Sequence, residues 1–166
     1  MTQQPATPDL APLDRFVGVW DTEGEVGAGD SAVRFEATDE YEWLAGGYFL
    51  LHKFRARMPE GEASGIEVIS HDPASNTFEL RSFDNTGSSS VMSARHEGDR
   101  WSFVGEQMRF SGAFSPDGRE FSGIWESRPP GASTWQPWMT VRLSKRRGGR
   151  SNPSGSAMQA PSASAT

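Results

Sequence analysis

A chain of 166 residues carrying 10 Phe, 6 Trp and 2 Tyr is the length of one domain and too aromatic to remain unfolded, despite a mean hydropathy of −0.60. Its formal charge is −6, and no stretch approaches the run of apolar residues that spans a bilayer as a helix. The absence of Cys excludes a disulfide framework and a thiolate metal site. Met1–Pro12 shows no basic and apolar leader pattern, so a reducing, cytoplasmic setting is the expectation.

Charge divides the chain unevenly. Lys145, Arg146, Arg147 and Arg150 close it with no acid after them, while residues 1–144 hold the other 12 basic residues and all 22 acidic ones, a net of −10. A body that acidic argues against binding nucleic acid, whose phosphates demand basic surface. The basic segment and the Ser/Pro/Ala/Gly-rich tail at 148–166 read as a solvated terminus, as does Pro-rich 1–12. The expected folded unit is 13–147.

Inside that unit apolar residues recur at every second position and no helical stripe is sustained. Strands are expected at 18–27, 32–44, 47–58, 64–71, 76–84, 89–96, 100–105, 107–115, 119–128 and 133–145. On the second, Val33, Phe35, Tyr41 and Trp43 share a face against Arg34, Glu36, Glu40 and Glu42. On the third, Tyr48, Leu50, His52, Phe54, Ala56 and Met58 share the face expected to point inward. At 89–96 two registers stay open: Val91 and Arg95 inward, or Met92 and Ala94 inward. Further on, Trp101 joins Phe103, Met108 joins Phe110 and Phe114, Phe121 joins Trp125, and Trp135 joins Met139, Val141 and Leu143. Turn chemistry falls between the runs, clearest in Ser115-Pro116-Asp117-Gly118.

Strands this short, joined by turns this tight, pair antiparallel, because parallel pairing needs long crossovers. Closing them on themselves removes both exposed edges and encloses a lumen. The expected fold is therefore all-β: one closed, antiparallel, up-and-down barrel of about ten strands.

Phe16-Val17-Gly18-Val19-Trp20 resembles the Gly-x-Trp opening of lipocalin-like (calycin) barrels. With Leu44–Phe49, Gly65–Asp72 and Phe83–Gly87, the unit is similar to the DUF1579 family of bacterial lipocalin-like proteins. That resemblance implies a calycin-type barrel of unassigned activity and supplies no catalytic residues. It also implies that Trp20 plugs the closed end under an arginine, Arg142 or Arg15. The nitrobindins, haem-binding calycins, open with Gly-x-Trp-x-Gly-x-Gly. Gly18, Trp20 and Gly24 match, but Thr22 replaces the middle Gly and no His lies on the last four strands. Haem is disfavoured, and no cofactor is expected.

His52 is the candidate for chemistry. Desolvation in an apolar lumen is expected to lower its pKa and keep it neutral, able to orient a ligand carbonyl or act as a base; a hydroxyl, Ser70 or Ser82, could equally satisfy it. Tyr48 is a second polar anchor, and Arg95 a third if its register faces the rim. Phe54, Trp101, Phe110 and Trp125, with Tyr41, Trp43, Phe103, Phe121 and Trp135, are expected to line a pocket kept open by Gly112, Gly123, Ser70 and Ser82. Glu25, Glu36, Glu40, Glu42 and Glu67 are placed outside, which leaves no facing carboxylates for glycoside chemistry. His71 and His96 are expected to be exposed, with no spacing that suggests a metal. The leading expectation is a small-molecule binding protein for an apolar or aromatic ligand. The alternatives are a cyclase or isomerase with His52 moving a proton, and an interaction module whose exposed barrel edge mediates dimerisation.

Overall fold

The computed structural model describes residues 9–148, and all ten expected strands are present. They are β1 (Gly18–Val26), β2 (Val33–Trp43), β3 (Leu50–Met58), β4 (Gly61–Asp72), β5 (Thr77–Asp84), β6 (Ser89–Glu97), β7 (Arg100–Val104), β8 (Met108–Phe114), β9 (Glu120–Ser127) and β10 (Gln136–Lys145). Each strand pairs antiparallel with its neighbours in sequence, and β1 closes the ring against β10 from Trp20 opposite Lys145 to Val26 opposite Met139. The expectation of a closed up-and-down barrel holds. The expected terminal segments fall largely outside the described residues, and among the described ones no helix is long and apolar enough to cross a membrane.

One end is sealed. A 3₁₀ helix at Ala11–Phe16 enters that end and buries Leu13 and Phe16. Around Phe16 stand Trp101, Phe114 and Phe121, their rings 4.9 to 5.2 Å away and edge-on, the geometry aromatic quadrupoles favour. Trp20 is fully buried and donates its indole N–H to the Phe16 carbonyl at 2.7 Å, tying plug to wall. The cation over the Trp20 ring is Lys145, at 4.7 Å, rather than Arg142 or Arg15. Its Nζ also donates to the Arg15 carbonyl at 2.9 Å, and burial, with Arg119 and Arg15 near, lowers its pKa. Arg15 lies instead over Phe114, and Arg142 pairs with Glu120 on the outside.

Toward the other end the inward side chains are half-buried: Phe54 on β3, Met92 on β6, Phe103 on β7, Trp125 on β9, Met139 and Val141 on β10. Glycines explain how rings and lumen coexist there. A Cβ on Gly24 would collide with the Phe35 ring, one on Gly65 with Phe54, and one on Gly112 or Gly123 with Phe110. These rings therefore lie across bare backbone, flat on the wall, instead of pointing at the axis. The inward side chains above the aromatic plug, half-buried where those of the plug are buried, form the barrel's cup.

Candidate functional site

Alternation sets which residues meet inside the cup. Pairing places Tyr41 opposite His52, and His52 opposite Glu67, with Glu67 in turn opposite Ser82. Asp39 stands two residues before Tyr41 on the same face of β2, and Thr22 faces the same way from β1. Five adjacent strands thus contribute one polar cluster to one side of the wall.

Its centre is His52. Nε2 lies 2.7 Å from Asp39 Oδ1 and Nδ1 lies 3.2 Å from Glu67 Oε1. The Thr22 hydroxyl donates to the second Asp39 oxygen, and the Ser82 hydroxyl donates to Glu67 Oε2 at 2.6 Å. Tyr41 stacks on the imidazole with ring centroids 4.0 Å apart and planes 5° from parallel. The three ionisable side chains are about 88% covered, so the cluster is largely desolvated yet still reached from the cup.

Burial alone would depress the His52 pKa, as the sequence suggests. The hydrogen bonds to Asp39 and Glu67 and their charges outweigh it and raise it to about 9. The ring is an imidazolium at neutral pH, with both N–H groups donated to carboxylates. No ring nitrogen is left free to accept a proton from a substrate in this arrangement. Tyr41 is pushed well above its ordinary value by burial, then by the Asp39 and Glu67 charges. Among the described residues no group of three or more His, Asp or Glu is arranged to hold a metal ion.

The sequence-derived site residues scatter. His52 and Phe54 face the cup together, ring centroids 5.9 Å apart, and Trp125 faces it from β9. Trp101 and Phe110 are buried, Trp101 inside the plug with its indole N–H unpartnered, Phe110 beneath Trp125 and Phe103. Tyr48 is 62% exposed, because the strand starts only at Leu50 and Tyr48 belongs to the preceding turn. Arg95 points outward and is solvated: the register at β6 buries Ala94 and turns Met92 inward. Trp135 lies outside between Arg109 and Arg128, since an irregularity between Pro137 and Met139 breaks the alternation ahead of β10's inward face. Glu67, expected outside, is inside. The sequence marks Thr22 only as a departure from the nitrobindin pattern and does not mark Asp39, although Asp39 shares the parity of Phe35 and Tyr41.

Ten antiparallel strands closed over a plugged end, with Gly18 and Trp20 opening the first, make this a lipocalin-like barrel, a form compatible with holding a small molecule. Residues 9–112 match the model of DUF1579, described as a protein of unknown function, and the chain belongs to that family. It is similar to Rv2717c from M. tuberculosis, a solved structure of 18% identity and TM-score 0.63, over 85% of this chain and 99% of that one. Looser likenesses are a de novo designed fluorescence-activating β-barrel (10% identity, TM-score 0.45, 80% of this chain and 95% of that one) and zebrafish ileal bile acid-binding protein complexed with cholic acid (11%, 0.41, 80% and 99%). At those scores they say no more than that one barrel resembles another. No curated protein matches the chain.

Proposed function

We propose that the cup binds a small, largely apolar or aromatic molecule. The observation that carries this reading is the pair of unlike walls: half-buried Met92, Phe103, Trp125, Met139 and Val141 on one side, and the Asp39–His52–Glu67 cluster on the other. Apolar surface left within reach of solvent inside a barrel gains roughly 25 cal/mol for each Å² a ligand covers. The polar cluster supplies the few fixed groups that orient such a ligand. Of the expected contacts, His52, Phe54 and Trp125 belong to this reading; Trp101 and Phe110 support the wall from beneath; Tyr48 and Arg95 drop out.

Nile red, a neutral apolar dye, tests it. The wild-type chain should bind the dye with a blue-shifted emission, and Met139→Trp, which fills the cup from its mouthward side, should lose that binding while keeping its melting temperature within a few degrees. Dye binding unchanged by Met139→Trp, or none by the wild type, would overturn the reading.

A further inference from the structure

We infer that the ligand's polar end is a cation or a strong hydrogen-bond donor, an ammonium above all, and not a carboxylate. This rests on the cup being a ligand site and names the head group that site accepts. Among the described residues, the inward positions of the ten strands above the plug carry Asp39, His52, Glu67 and, at the mouth, Asp84, and no Arg or Lys. Lys145, the inward cation on the closing strand, is folded onto Trp20 below. With His52 protonated, the cluster holds two carboxylates against one imidazolium and is negative; with His52 neutral it is more so. The sign does not depend on the proton.

Lone pairs point the same way. Each of the four carboxylate oxygens of Asp39 and Glu67 accepts one hydrogen bond, from His52, Thr22, His52 and Ser82 in turn. An ionised carboxylate offers about four acceptor sites, so roughly half remain. The donors of His52, Thr22 and Ser82, by contrast, are spent: both His52 N–H groups and both hydroxyl protons already face carboxylate oxygens. An arriving carboxylate would meet the negative charge of Asp39 and Glu67 and find the donors beside them already engaged. An arriving ammonium would meet unused acceptors in a site 11 to 12% exposed, where charge is weakly screened. A guest with apolar body against Met92, Phe103 and Trp125 and its ammonium against Asp39 and Glu67 satisfies both walls.

Three probes of one chain length decide it: octylamine, octan-1-ol and octanoate, titrated calorimetrically at pH 7 into the full-length chain. Octylamine should bind at least about tenfold more tightly than octanoate, the ratio that ~1.4 kcal/mol produces, with octanol between. Glu67→Gln, or Asp39→Asn should that variant fold poorly, should narrow the amine's advantage over the alcohol. Met139→Trp should remove binding of all three. Octanoate matching octylamine, with both lost in Met139→Trp, overturns the head-group inference and leaves the cup as a ligand site. An amine preference that survives Met139→Trp belongs to the acidic exterior and overturns it too. No binding of any probe overturns both readings.

Discussion

The two halves of the barrel wall are built by the same antiparallel ladder, yet they hold the structure together by different physics. From β6 to β10 the interior is Ala94, Phe103, Phe110, Phe121, Trp125 and Leu143, joined by ring contacts such as Phe103–Phe110 at 5.0 Å and Phe110–Trp125 at 5.2 Å. From β1 to β5 the inward face above the plug carries Thr22, Asp39, His52, Glu67 and Ser82, joined by hydrogen bonds and charge. Dispersion and burial are indifferent to pH, whereas a buried ionic cluster is not. One wall provides a constant contribution; the other provides one that depends on a proton.

Single substitutions should separate the two most widely. Phe110→Ala removes a ring that packs against Phe103, Phe121 and Trp125, and should cost about 3–5 kcal/mol, equally at pH 6 and pH 9. His52→Leu should cost a similar amount at pH 7, about 3–5 kcal/mol, for another reason: it strands two carboxylates in a desolvated wall. That loss should shrink as pH rises toward 9, where the wild type gives up the same stabilisation. Adding Asp39→Asn and Glu67→Gln to His52→Leu should recover most of it, because the penalty lies in the unpaired charges. Urea denaturation of the four proteins at three pH values checks this; equal pH profiles for Phe110→Ala and His52→Leu would dissolve the distinction between the walls.

The wild type should show the same division in its own pH dependence. The folded pKa of His52 is about 9 against an ordinary 6.5, so the folded state holds its proton more tightly. The resulting stabilisation is complete below pH 6.5 and is lost as pH rises through 9, a fall of roughly 3 kcal/mol from this group. Phe110→Ala should keep that slope and His52→Leu should lack it. NMR of the His52 ring protons gives the pKa directly, and a midpoint at or below 6.5 would remove the basis of the prediction.

The barrel was legible in the sequence because ladder, turns and closure all follow from local rules. The period of two marks the strands, Gly and Pro mark the turns, and unpaired edges favour closure. The polar wall was less legible, for a reason visible on β4. There the outward Ile66 is 42% exposed, facing an equally outward Phe83 at 50%, while the inward Glu67 is buried. Hydropathy alternation reads charge as outside, which holds only while charge is uncompensated; His52 and Ser82 reverse it. Asp39 was within reach, since it keeps the parity of Phe35 and Tyr41. Thr22 marks the same point: it stands where the nitrobindin pattern has Gly, and its hydroxyl serves Asp39. The His52 charge was misjudged because desolvation is a property of a site, whereas partners come from strands far apart in sequence.

The smallest effect probes the cluster's edge. Ser82 donates to the Glu67 oxygen that His52 does not use, at 2.6 Å, so Ser82→Ala removes one hydrogen bond to a charged group and little packing. It should cost about 1–2 kcal/mol. It should also leave Glu67 with more charge to share with the imidazolium, moving the His52 pKa slightly up. Destabilisation and a raised histidine pKa rarely accompany one another, since most damage to a buried ion pair loosens it and lets the pKa fall back toward 6.5. An NMR titration that finds the His52 pKa lowered in Ser82→Ala would mean that the serine positions Glu67 rather than competing for its charge, and that the polar wall is held by geometry as much as by electrostatics.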